Sequence, residues 1–224
     1  MTQPVEPLII PARFNGPPDT GNGGYTAGLI ASYLGGTVEV TLRTPPPLDT
    51  PLTVTRDGEE VNVRHGDTLV ATARPSEVTE QVPATGYDEA VEVSKQYPGF
   101  TAHPFPTCYT CGPEREDGLR LFPGRLPDGR TAAPFTVPSD VTPATVWASL
   151  DCPGGWSVGI EARPYVLGRI AAHLYRVPEP GEHCVVTGQL LGQEGRKAFV
   201  ASTLWPADGD QPYAVARATW IALR

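Results

Sequence analysis

The residues best suited to chemistry lie in two short stretches far apart in the chain. In GNGGYTAGLIASYLGG, residues 21–36, Asn22, Gly23 and Gly24 come directly before small and apolar residues at helical spacing. A helix N-terminus leaves its first N–H groups without intrahelical partners and carries a positive partial charge, so it suits an acceptor that is gaining negative charge. Glycine at 23 and 24 removes the side chains that would hold such an acceptor away. Asn22 can cap the helix or add its amide to the same oxygen. The competing reading is an ordinary turn and cap, with Ala27, Gly28, Ala31 and Ser32 small because the helix packs closely on a sheet.

The second stretch is VWASLDCPGGW, residues 146–156. Thr142 as cap and Pro143 at the first helical position open a helix here, and Pro153-Gly154-Gly155 reads as its stop. Asp151 then falls in the last turn among Trp147, Ala148, Leu150 and Trp156. A dry site at the negative end of the helix dipole raises a carboxyl pKa toward neutrality, which suits a general base that activates water. The alternative is that Asp151 bonds N–H groups of the Pro153-Gly154-Gly155 turn.

Cys108-Tyr-Thr-Cys111 sets two thiols three apart, half of a closed tetrahedral zinc site. His103, Cys152 and Cys184 are the further ligands on offer, while a redox pair and plain buried thiols compete with a structural zinc. Cys152 beside Asp151 reads as a packing thiol, since no motif brings a histidine to it. None of His65, His103, His173 and His183 has ligand or triad spacing, and each reads as a turn or surface residue.

These residues need elements to hold them. A chain of 224 residues, 40% hydrophobic and 19% charged, is long enough for one large or two small cores. A net charge of −8 without any basic block argues against a nucleic-acid partner. No apolar run is long enough for a membrane helix, and MTQPVEPLIIPARFNG lacks the pattern of a secretory leader, so the expected compartment is the cytoplasm.

A helix over residues 22–34 precedes β-branched alternating runs through residues 37–76, broken by proline clusters and by the hairpin signal Asp57-Gly58. Proline and glycine thicken over residues 98–134, an ordered connector without periodicity. Beyond it the pattern returns: TAAPFTVPSD, the Asp151 helix, then YVLGRIAAHLYRV, EHCVVTGQLLGQ, KAFVASTLWPA and YAVARATWIAL as strands. GDTLVATARP (66–75) is echoed by GDQPYAVARATW (209–220), which points to an internal duplication. The expected divisions are residues 1–83, a connector over 84–129, and 130–224.

One helix followed by an antiparallel sheet, twice, resembles the double hotdog-fold acyl-CoA thioesterase-like superfamily. NGGYTAGLIA is similar to the helix opening of hotdog thioesterases, and VWASLDCPGGW to the Asp-bearing helix in the second half of acyl-CoA thioesterase II-like proteins. The CxxCGP…GL…FPG and LDCPGGW patterns resemble actinobacterial-type thioesterase-like proteins. The resemblance implies an α+β tandem hotdog, each half a long helix wrapped by an antiparallel sheet. It implies that a thioester carbonyl rests on the amides of Gly23 and Gly24, that Asn22 orients the substrate, and that Asp151 acts as base or nucleophile. Tyr25, Trp147 and Trp156 are candidates to limit the acyl pocket, with ordinary core packing the competing reading of each, and Thr219 on the last strand would help hold the water, with Arg217 competing for that role. Helix one keeps the glycines without an acid and helix two the acid without the glycines, so one composite site is expected. The implied partner is an acyl thioester of coenzyme A or a carrier protein, with no cofactor and a homo-oligomeric assembly. The other reading is an acyl-binding hotdog protein that does not turn over.

Overall fold

Val, Ile and Thr in period-two runs make strands the largest share of the regular structure, and the runs of small residues form helices packed against them. The computed structural model describes residues 3–4 and 6–224, with side chains from residue 6 onward. Residues 1, 2 and 5, part of the stretch tested above for a leader, lie outside the described residues.

The chain runs β1 (Gln3–Pro4), α1 (Gly23–Ala31), β2 (Val38–Leu42), β3 (Thr53–Asp57), β4 (Glu60–His65) and β5 (Thr68–Pro75). It continues through α2 (Tyr87–Ser94) and β6 (Gly124–Arg125) to β7 (Thr131–Thr136), α3 (Pro143–Trp156), β8 (Tyr165–Leu174), β9 (His183–Glu194), β10 (Lys197–Pro206) and β11 (Ala214–Ala222). The strands form one sheet in the order β1-β3-β4-β5-β2-β8-β11-β10-β9-β7-β6. The order β1-β3-β4-β5-β2 is repeated element for element by β7-β9-β10-β11-β8, with α1 and α3 each following the first strand of its set. The two sets meet where β2 pairs antiparallel with β8, from Val38 opposite Ala172 to Thr41 opposite Arg169. Gly58, at φ 60°, turns β3 into β4 at the expected hairpin.

The helices lie against one another as well as against the sheet. A Cβ on Gly24 would fall 2.7 Å from the Asp151 Cβ and 2.7 Å from the Trp147 carbonyl oxygen, and one on Gly28 would fall 2.7 Å from the Ala144 Cα. The glycine face of α1, at spacing i and i+4, therefore meets α3 backbone to backbone, and not only the sheet. This contact carries the α1 N-terminus to the aspartate of α3.

Two helix ends differ from expectation. α1 stops at Ala31 and not at residue 34, because the N–H of Gly35, at φ 76°, folds back to the Ala31 carbonyl at 3.1 Å. α3 does not stop at Pro153-Gly154-Gly155 but runs through Trp156. Proline inside a helix removes a hydrogen bond, but here distant side chains take up the backbone groups around it. Thr131 Oγ1 donates to the Pro153 carbonyl at 2.7 Å, and the Gly154 N–H donates to Ser202 Oγ at 3.0 Å. Gly154 and Gly155 are small so that this turn can lie on β10 and β11, since a Cβ on either would strike Val200 or Trp220. At the other end the Thr142 cap and Pro143 are as expected, with a capping box formed by Thr145.

The connector folds back over the helices. α2 packs through Ala90 on Leu126, Ala132 and Val185. Tyr97 stands edge-on to Trp156, ring centroids 4.5 Å apart, and Tyr109 donates its N–H to the Asn15 carbonyl at 2.8 Å. No helix among the described residues is long and apolar enough to cross a membrane.

Candidate functional site

The N-terminus of α1 is held open by its own cap. Asn22 Oδ1 accepts the Tyr25 N–H at 2.8 Å, and the Asn22 carbonyl accepts that of Thr26 at 2.9 Å. The Gly24 N–H donates across the molecule to Asp151 Oδ2 at 2.9 Å. The Gly23 N–H has no acceptor among the described residues. The sequence expectation that both amides are free is corrected: Gly24 is committed to the aspartate and Gly23 remains.

Asp151 is 3% exposed, and its Oδ1 is buried without a hydrogen-bond partner among the described residues. Burial pushes its carboxyl up to about 7, the Gly24 N–H pulls it down, and charge at Cys108 adds to the rise. Because α3 continues to Trp156, Asp151 is not in its last turn, and dehydration takes the place of the helix dipole as the cause. Its carboxylate is bonded by α1 and not by a turn at residues 153–155.

Gly23 and Asp151 line one cavity of about 430 Å³. Its walls come from residues 16–23 and 42–46 of the first half, from the start of β8 and the end of β11, and from His103, Phe105, Cys108 and Cys111 of the connector. Apolar side chains, among them Leu42, Leu167 and Trp220, make up most of the surface around the two polar groups. A largely apolar cleft with a few convergent polar groups suits a mainly apolar ligand that carries a small number of polar atoms.

Four other expected pocket residues lie elsewhere. Tyr25 stacks on Phe14 with centroids 3.7 Å apart, and Tyr109 of the connector closes over both. Trp147 fills the space above Gly28, and Trp156 is core beside Tyr97 and His103. Thr219 faces shallow outer grooves with Arg169 and Phe199, while the next residue, Trp220, lines the cavity. Adjacent strand residues point to opposite faces, so an uncertainty of one residue in register exchanges wall for exterior. Arg217 is on the outer face as well.

The connector supplies what the sequence reading undervalued. The sulfurs of Cys108, Cys111 and Cys152 all lie within 4.8 Å of one another, all buried, in the cavity wall. One Asn22 side-chain N–H donates to Cys108 Sγ at 3.7 Å and Oδ1 caps α1, which leaves the second N–H of an amide that lines the cavity. His103 is half-buried against Cys111, not a surface residue, and Cys152 is one of a cluster and not isolated packing. Hydrogen bonds from the Cys111 and Cys152 thiols pull the Cys108 thiol well below its ordinary range, while burial holds Cys111 up. Cys184 stays apart on β9, its thiol pushed up to about 12 by burial. The available sequence signal was the adjacency of Cys152 to Asp151 together with the CxxC spacing.

No protein-family model matches the sequence, and no curated protein sequence matches it. Solved structures do. A conserved protein of unknown function with a hot dog fold from Alicyclobacillus acidocaldarius is 13% identical with a TM-score of 0.63, covering 100% of this chain and 92% of its own. The tesB protein of Mycobacterium avium subs paratuberculosis is 12% identical with a TM-score of 0.63, over 100% and 93%. An acyl-CoA thioesterase II from Mycobacterium marinum is 13% identical with a TM-score of 0.53, over 91% and 90%. The chain thus has the hotdog fold along its whole length, shared with proteins named as thioesterases.

Proposed function

We propose that this hotdog chain is a tandem of two halves, residues 1–83 and 130–224, joined by a connector over 84–129, and that it hydrolyses an acyl thioester of coenzyme A or an acyl carrier between them. The observation that carries the reading is the Gly24 N–H to Asp151 Oδ2 hydrogen bond of 2.9 Å in the wall of an apolar cavity. It fixes one carboxylate oxygen and leaves the other, with the Gly23 amide, for a substrate. The hotdog fold shared with structures named as thioesterases supports the choice of reaction.

In this mechanism the thioester carbonyl oxygen accepts the Gly23 N–H at the positive end of α1. Asp151 Oδ1 takes a proton from a water as that water attacks the carbonyl carbon. The tetrahedral intermediate collapses with cleavage of the C–S bond. The departing thiolate recovers the proton from Asp151, giving a carboxylic acid and a free thiol.

One observation favours a second reading, ligand binding without turnover: a single amide remains for the oxyanion, and each such donor is worth roughly 10²–10³ in rate. The experiment that decides is CoA release from a panel of acyl-CoAs, followed with a thiol reagent. Release by the wild type that falls roughly 10²–10⁴-fold in Asp151→Asn supports hydrolysis. Acyl-CoA-dependent rises in melting temperature without CoA release would establish the binding reading instead.

A further inference from the structure

We propose that Cys108, Cys111 and Cys152 bind one zinc ion, with a fourth coordination position that opens to the cavity and is taken by water. Zinc–thiolate bonds of about 2.3 Å in tetrahedral geometry hold sulfurs about 3.8 Å apart. The three sulfurs already gather within 4.8 Å of one another, so an ion enters with small rotations of side chains.

The backbone is shaped for this gathering. The Gly112 N–H donates to the Cys108 carbonyl at 2.8 Å, closing a tight turn that brings Cys108 and Cys111 to the same side. A Cβ on residue 112 would fall 2.5 Å from the Cys108 nitrogen, so the turn needs glycine there. The third sulfur comes from α3, whose approach to the loop is fixed by the Thr110 Oγ1 hydrogen bond to the Ala148 carbonyl at 3.3 Å.

The surroundings are arranged for thiolates. Asn22 Nδ2 donates to Cys108 Sγ at 3.7 Å. His103 Nδ1 accepts the Phe105 N–H at 2.9 Å, which places the proton of a neutral imidazole on Nε2. That N–H then points at Cys111, with Nε2 3.4 Å from Sγ and 3.2 Å from the carbonyl oxygen. His103 is therefore a donor that orients and partly neutralises a ligand sulfur, the usual task of groups behind a metal site, and is not itself a ligand. Trp156, whose buried indole N–H has no hydrogen-bond partner among the described residues, stands edge-on to the His103 ring at 5.1 Å.

Zinc binding deprotonates its cysteine ligands, and in this buried space the dication would offset most of the charge of the three thiolates it creates. Zinc is the ion that fits: three soft sulfur ligands in a compact site exclude magnesium and calcium, which take oxygen. Three protein ligands with one position facing a cavity is also the pattern of zinc sites that bind an exogenous ligand.

The test uses the full chain, purified under reducing conditions without chelators from zinc-replete cells. Elemental analysis is expected to give about one zinc per chain. Exchange for cobalt is expected to give thiolate-to-cobalt charge-transfer absorption and intense tetrahedral d–d bands. Both signals should vanish in Cys108→Ser and Cys152→Ser and persist in Cys184→Ser, whose sulfur lies outside the cluster. Should the serine variants not fold, the wild-type stoichiometry and cobalt spectrum decide alone. Protein that neither carries zinc nor takes up cobalt would overturn the proposal, as would a disulfide among these cysteines in protein isolated under reduction. The site and the hydrolytic reading fail separately, because metal content and cobalt absorption report the ion whatever the protein hydrolyses.

Discussion

Asp151 gives its two oxygens different tasks, and that division can be tested. Oδ2 is held by the Gly24 N–H while Oδ1 has no hydrogen-bond partner among the described residues, so in the proposed hydrolysis Oδ1 is the atom that takes the proton. In a single turnover in ¹⁸O-water, mass spectrometry is expected to find label in the released acid and none in the Asp151 carboxylate. Label on Asp151 would make it the nucleophile in place of the base. Asn22 commits its side-chain oxygen to the helix cap and one amide N–H to Cys108. Asn22→Ala is expected to lower stability by about 0.5–2 kcal/mol through the lost cap, read from the denaturant midpoint, with a smaller effect on kcat. Both residues were legible from local chemistry: an Asn before a helix, an acid in an apolar run. What Asn22 does with its amide nitrogen was not, because Cys108 lies 86 residues away.

Among the elements, the decisive contact is α1 on α3. Gly28 lies outside the cavity lining and meets Ala144 and Trp147, so Gly28→Ala should push the helices apart and cost about 1–3 kcal/mol in chemical denaturation. A neutral effect would mean that the helices do not lie as closely as described. Helix starts were readable because caps are local: Thr142 and Pro143 announce α3 within a few residues. The end of α3 was not, since Pro153-Gly154-Gly155 remains helical only because Thr131 and Ser202 supply hydrogen bonds from other strands. Likewise Tyr25 and Trp156 are aromatic for packing against Tyr109 and Tyr97 of the connector, partners that helical periodicity cannot reveal.

At the scale of the molecule, the two strand sets meet at one seam, where β2 pairs with β8. Glu39 on β2 accepts from Arg74 at 2.8 Å and has Arg169 and Arg217, from the second set, each 3.8 Å away. Glu39 is buried while the three arginines are half exposed, so Glu39→Ala is expected to cost about 1–2 kcal/mol, less at high salt, as read from melts at two ionic strengths. The repeated strand order was foreshadowed by the echo of residues 66–75 in 209–220, because period-two patterning survives divergence. The route of the connector was not, as a segment without periodicity carries no sign of the surface it covers. That route brings Cys108 and Cys111 to Cys152 and closes the cavity on a third side.

The proposed hydrolysis requires one carbonyl to be held between the α1 N-terminus and Asp151. A crystal structure of the protein with a non-hydrolysable ketone analogue of an acyl-CoA would show this geometry. The acyl chain is expected in the apolar cavity, the ketone oxygen about 3 Å from the Gly23 nitrogen, and Asp151 Oδ1 within one water of the carbonyl carbon. An analogue bound on the outer face near Thr219 and Arg217, or in the cavity with its carbonyl turned away from both groups, would contradict it.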